Sequence, residues 1–364
     1  MGSSKPHVYR VHGMTQSYFT RKMTGYLDYK RIPWLFRRFP GITPESAAAG
    51  FPGGVPVVET PDGEFMWDST AMIHHLELRF PDPSVLPADP LQRFLCYVIE
   101  DAADEWFYRP AVGSRWYFPE NNAVGGFELA RDIAARAPIA CDQAFAGVGA
   151  HVRGSCPPLG VTAENIQLWI DDVLRPWMRL LGAHLAGHPF LFGARPSLAD
   201  FAFFGGHAAH FINDPLCRRW TEEDAPAIVR QTHRLLEPED EEFGDWDDPH
   251  QMPETLVALL AELGQIYLPW VSRACADGTA DGTADIVFAD GTRTPVRATD
   301  FLRQARGVLL ARYVAARDAR LDAVLQRAGV LSFFADFAEG AGSIPDARTP
   351  PRPLLNRPFP PSEE

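Results

Sequence analysis

Along residues 7–80 the apolar positions switch between the period of a strand and that of a helix. His7–Gly13 reads as a short strand. Tyr18–Tyr29 then carries Phe19, Met23, Tyr26 and Leu27 at helical spacing, and Ile32–Phe36 starts a second strand. After a helix-like segment, two apolar runs, Val55–Val58 and Phe65–Trp67, flank Thr60, Pro61, Asp62 and Gly63, a turn sequence that predicts a hairpin. Asp68 offers an N-cap, and Met72, Ile73, Leu76 and Phe80 recur behind it at helical spacing. Strands that alternate with helices and close on a hairpin predict a mixed sheet covered by helices.

The pattern changes at residues 80–90, where Pro81, Pro83, Pro87 and Pro90 mark a linker. Helical spacing then dominates, over Leu91–Trp106, Phe127–Val148 and Thr162–Leu185. In the last of these Ile166, Trp169, Ile170, Val173, Trp177, Leu180 and Leu181 form one stripe, and Pro176 predicts a kink. Ser197 with Asp200 three residues on is a capping box opening another helix. Ala225–Leu236 fits an amphipathic helix, and the acidic run Glu237–Asp248 a solvated loop. Farther on come a helix over Pro253–Cys275 containing Pro269, a hairpin with a two-residue turn at Asp290 and Gly291, and a helix over Thr299–Ala328. The divisions expected are 1–82 for the sheet domain, 91–248 for a helical domain, 249–339 for an extension, and 340–364 for a poorly ordered proline-rich tail.

With 364 residues, 46% of them apolar, the chain can bury a large core in two domains and an appendix. A net charge of −13 argues against a sequence-independent grip on nucleic acid or on an anionic membrane. The cysteines Cys96, Cys141, Cys156, Cys217 and Cys275 are scattered without metal spacing, which suits reduced thiols in a cytoplasm. The first residues lack the apolar core of a signal peptide, and no run approaches a membrane span. A cytoplasmic protein is expected. His74, His75, His207 and His210 have no third partner at zinc-like spacing, so packed or surface histidines are expected, and no metal.

Four features carry a resemblance. Val55-Pro56 precedes a strand, and Asp68-Ser69 opens a helix. Gly13, Ser17, Arg21 and Lys22 follow a Gly-x-x-x-Ser-x-x-x-Arg-Lys pattern, and the stretch Pro189–Asp200 ends in the capped helix start. Together, over roughly residues 7–236, they resemble the glutathione transferase superfamily. The resemblance implies an α/β thioredoxin-like N-terminal domain, an all-α helical C-terminal domain, and an extra α/β-hairpin extension outside the common core. It also implies a homodimer with glutathione as cosubstrate.

The resemblance further assigns roles. Pro56 would follow a cis bond, and the Val55 backbone would pair with the cysteinyl unit like an added strand. Ser69 and the helix N-terminus would hold the γ-glutamyl carboxylate, with Asp68 facing the ammonium. Ser17 would donate a hydrogen bond that favours the thiolate, with Tyr18 competing for that role and Thr15 a third candidate. Where many relatives carry Lys before Val-Pro this chain has Gly54, so Arg37 or Arg38 is the candidate partner of the glycyl carboxylate. Glu105, Trp106 and Tyr108 would face a pocket for a small apolar electrophile. The expected chemistry is thiolate attack: conjugation, ether cleavage, dehalogenation or isomerisation, in the manner of a detoxification enzyme. The alternative is a non-catalytic member of the fold, serving as a ligand carrier or protein–protein interaction module.

Overall fold

The computed structural model describes residues 8–39, 53–136, 138–276, 280–340 and 354–356. Its first domain runs β1 (Tyr9–Gly13), α1 (Tyr18–Tyr29), β2 (Trp34–Arg38), β3 (Val57–Glu59), β4 (Phe65–Trp67) and α2 (Ser69–Arg79). β1 pairs parallel with β2, Val11 opposite Phe36, and antiparallel with β3, Val11 opposite Val58. β4 completes the hairpin with Met66 opposite Val58. This is the thioredoxin-like order. The helix-like segment expected between β2 and β3 falls outside the described residues.

Both faces of the sheet are covered. Val11, Val58 and Met66 point into the main core, while Val57, Phe65 and Trp67 pack with Phe39 on the opposite face. That is why β3 and β4 are apolar at successive positions instead of alternating.

Helices follow, with more breaks than the apolar spacing predicts. The first continues past Trp106 to Tyr117, as α3 (Pro90–Ala102) and α4 (Tyr108–Tyr117) joined by a wide turn over Ala103–Phe107. Such a turn inserts a residue into the helical repeat and rotates the next helix about its axis. The expected helix 127–148 is two, α5 (Phe127–Ala134) and α6 (Cys141–Ser155), with Pro138 between them. Pro176 sits where a second wide turn over Trp169–Leu174 passes into α7 (Arg175–Gly187).

The capping box is present. Ser197 and Asp200 bond reciprocally at the start of α8 (Leu198–Gly206), and Asp200 Oδ1 also accepts from Leu191 N at 3.0 Å and Gln231 Nε2 at 2.8 Å. α9 (Pro215–Asp224) and α10 (Pro226–Leu236) complete the second domain.

The extension is built from α11 (Glu254–Leu263), α12 (Tyr267–Ala274), β5 (Thr283–Val287), β6 (Arg293–Arg297), α13 (Asp300–Ala316), α14 (Ala319–Arg327) and α15 (Ser332–Gly340). The expected helix 253–275 bends by 44° between α11 and α12, and that over 299–328 breaks where Asp318 caps α14. Among the described residues no single helix is long and apolar enough to cross a membrane. The hairpin has three connecting residues, not two. Phe288 N bonds to Thr292 O at 2.9 Å, and Gly291 takes φ 86°.

Several contacts bind the extension to the rest, among them Arg320 with Asp89 and His184 with Thr255. Tyr267 Oη donates to Asp101 Oδ2 at 2.6 Å. Arg312 lies 3.7 Å above the Tyr97 ring, with Nη2 3.0 Å from Nε2 of His74 on α2. Burial and the adjacent guanidinium push the His74 imidazole down to about 3, so it accepts as a neutral ring. In the tail expected to be disordered, β7 (Leu354–Asn356) pairs antiparallel with β4, giving the sheet order β2-β1-β3-β4-β7.

The first two domains meet where α1 crosses α8. A Cβ on Gly25 would come within 2.3 Å of Phe204, and one on Gly205 within 2.5 Å of the Tyr18 carbonyl oxygen. Gly205→Ala therefore forces backbone apart and is expected to cost about 1–3 kcal/mol, read as a lower urea midpoint. An unchanged midpoint would show that the helices separate without penalty.

Candidate active site

The site lies where the β1–α1 loop, the turn before β3 and the start of α2 come together. Val55-Pro56 is cis, and pairing with β1 begins only at Val57. Among the described residues none hydrogen-bonds to the Val55 amide or carbonyl. Gly53 and Gly54 precede it with φ of 75° and 131°. The surroundings of Gly54 would admit a side chain, but its backbone conformation would strain one. Residue 54 is thus glycine for a conformational reason.

Asp68 caps α2 with Oδ1 accepting from Ala71 N at 3.3 Å, yet its own backbone sits at φ 73°, ψ 100°. A non-glycine residue held there costs about 1–3 kcal/mol and persists where its surroundings enforce it. Burial pushes the Asp68 carboxyl up, against the hydrogen bond from Ala71 and the field of Lys22. Ser69, nearly buried, is the first residue of the helix.

Beneath this mouth lies a charged cluster. Lys22 Nζ, wholly buried on α1, donates to Thr70 Oγ1 at 3.0 Å, Glu100 Oε1 at 2.7 Å and Asp104 Oδ2 at 2.5 Å. Burial works against its charge, but the two carboxylates keep the ammonium above the ordinary lysine range. Burial in turn pushes Asp104 up to about 7 even beside that cation. The cluster joins the residue after Ser69 to α3 of the second domain.

Ser17 is the N-cap of α1, half-buried, with Oγ accepting from Thr20 N at 3.4 Å. The cap uses the hydroxyl as an acceptor, so its proton remains to be donated to a thiolate. Tyr18 does not share the site, contrary to expectation. It is buried in the core, donates from Oη to the Ala103 carbonyl at 3.0 Å, and burial raises its pKa well above that of a solvated tyrosine. Thr15 is committed too: its amide and hydroxyl donate to Asp132 Oδ2 at 2.6 and 2.7 Å. Arg38 pairs with the other oxygen of that carboxylate at 3.0 Å.

Asp132 on α5, which pins the loop, was not among the expected site residues. Its signal was an acid three residues after Leu129 and next to Ile133, on the apolar side of that helix. Arg37 stays apart, donating from Nη1 to the Phe36 carbonyl at 3.1 Å. β1 separates its strand from β3, placing it about 10 Å away at the usual strand spacing.

The residues expected to face the second substrate divide. The wide turn over Ala103–Phe107 carries Trp106 into the core, against Trp169 at 4.5 Å and stacked on Tyr267 and Trp270. Glu105 goes with it toward the extension, its carboxyl pushed up to about 8 by burial and by the negative Asp101 and Asp104. Tyr108 alone stays beside the α1 start, 5.1 Å from Phe19 between ring centroids. The cleft that opens next to Ser17 has a volume of about 490 Å³ and is lined by Thr15, Gln16, Arg38, Glu128, Arg131 and Asp132 among others. It is polar. Among the described residues no group of three or more His, Cys, Asp or Glu is placed to hold a metal ion.

Residues 11–84 match the family described as Glutathione S-transferase, N-terminal domain. The maleylacetoacetate isomerase of Pseudomonas aeruginosa is 35% identical over 91 residues, which is 24% of this chain and 42% of that protein. Less than half of the relative's length is therefore matched. Among solved structures, a glutathione S-transferase from Methylobacterium radiotolerans in complex with glutathione sulfonate is 20% identical, covering 66% of this chain and 98% of that one, at a TM-score of 0.40. The beta-etherase LigF from Sphingobium sp. strain SYK-6 is 18% identical, covering 62% and 94%, at a TM-score of 0.46. Residues 11–84 of this chain are thus similar to the N-terminal domain of glutathione S-transferases.

Proposed function

We propose that the protein binds glutathione and activates its thiol for attack on an electrophile. The observation that carries this reading is the strained Asp68 cap, held beside Ser69 at a helix mouth that faces the unpaired Val55 backbone. Those groups match a γ-glutamyl peptide: an acid for its ammonium, a helix N-terminus for its carboxylate, and a strand edge for its cysteinyl amide. Ser17 would donate to the sulfur, favouring the thiolate and raising the reactive fraction at neutral pH. The thiol proton passes to solvent, the sulfur forms a bond to carbon, and the leaving group departs with the electron pair of the bond that breaks.

Calorimetry with glutathione tests the reading. Ser69→Ala is expected to weaken binding about tenfold or more, since a charge-assisted hydrogen bond is lost at the carboxylate. If the native chain binds no glutathione, the fold serves another purpose, such as ligand carriage or protein contact.

A further inference from the structure

The cleft beside Ser17 has the wrong chemistry for a wholly apolar second substrate. Of its charged residues Asp132 is spent, with one oxygen taking two donors from Thr15 and the other pairing with Arg38. Glu128 accepts from Asn213 Nδ2 at 3.2 Å. Arg131, exposed in the last turn of α5 and lining the cleft, makes no hydrogen bond or ion pair with any described residue.

Two buried polar atoms are also unpartnered here. Gln16, 9% exposed, lines the cleft with Oε1 lacking any donor. Arg21, one helical turn after Ser17, has its Nε buried and unpaired among the described residues, with Glu128, Asp28 and Asp132 as the nearby charges. In the cleft lining Arg38 and Arg131 balance Glu128 and Asp132, and Arg131 is the one of the four without a partner among the described residues. An apolar ligand seated here would desolvate these groups and return nothing. A carboxylate would pair with a guanidinium, and the geometry of that pair fixes orientation as well as affinity.

We propose that the electrophile this protein accepts carries a carboxylate, which Arg131 holds in the cleft while the reactive carbon faces the sulfur above Ser17. This rests on the glutathione reading, and the two fail in different ways. The probes are chlorodinitrobenzoate and its neutral counterpart chlorodinitrobenzene, each with saturating glutathione. In both, the C–S bond forms as the C–Cl bond breaks, chloride leaves, and the thiol proton goes to buffer.

The native chain is expected to favour the benzoate in kcat/KM. Arg131→Gln is expected to reduce the benzoate-to-benzene ratio about tenfold or more, mainly through KM. No preference in the native chain, or a ratio unmoved by the substitution, overturns the proposal. Should neither probe turn over, calorimetry with unreactive dinitrobenzoate in the absence of glutathione decides it. A Kd about tenfold weaker in Arg131→Gln sustains the carboxylate site even where the glutathione reading fails. Equal Kd values, or no binding to the native chain, sink it.

Discussion

Ser17→Ala is expected to lower turnover of glutathione with an aryl halide about 100-fold at neutral pH, with the glutathione Kd nearly unchanged. In the proposed role the hydroxyl would interact with sulfur far more strongly as thiolate than as thiol, so its loss would fall on kcat and on the pH profile. A hydrogen bond to the charged form lowers the thiol pKa; without it the pKa climbs toward its solution value. The acid limb of the rate profile should accordingly move to higher pH, with activity partly recovered in alkaline buffer. Because the same oxygen caps α1, the variant should also lose about 0.5–2 kcal/mol of stability, measured separately by urea unfolding. An unmoved profile with unmoved turnover would assign activation elsewhere. Neither neighbouring hydroxyl is a natural heir: that of Thr15 is engaged by Asp132, and that of Tyr18 by the Ala103 carbonyl.

Lys22→Met is expected to be strongly destabilising, at about 3–5 kcal/mol, because it strands Glu100 and Asp104 without their cation. Chemical denaturation reads the loss. Pairing it with Glu100→Gln should recover part of the deficit, since one buried charge is removed along with its partner. The damage should also reach the site, because Thr70 Oγ1 bonds to both Lys22 and Glu100 and directly follows Ser69. A weaker glutathione Kd in the double variant, once folded, would report that second effect. A loss below about 1 kcal/mol would mean that the cluster holds no net charge in the native chain.

Much of the first domain was legible because its signals are local. The hairpin around Asp62-Gly63, the cap at Asp68 and the Val-Pro pair each announce themselves within a few residues, and each stands where expected. The second-substrate side was not legible. Apolar spacing runs unbroken through Ala103–Phe107, so nothing in the pattern shows the wide turn that swings Glu105 and Trp106 away from α1. Tyr18 misled for a related reason: adjacent to Ser17 in sequence, it points across the helix into the core. Contacts such as Arg312 with His74, 238 residues apart, leave no local trace in either segment.

The pairing of β7 with β4 gives the first domain two attachments to the rest of the chain, one through residues 80–90 and one through the returning tail. A domain tethered at one end can swing as a lid or melt alone. One fastened at both ends, and pinned through His74 and Lys22 between them, shares its opening with the body that holds it. The first domain and the C-terminal extension are thereby expected to open together as one cooperative unit.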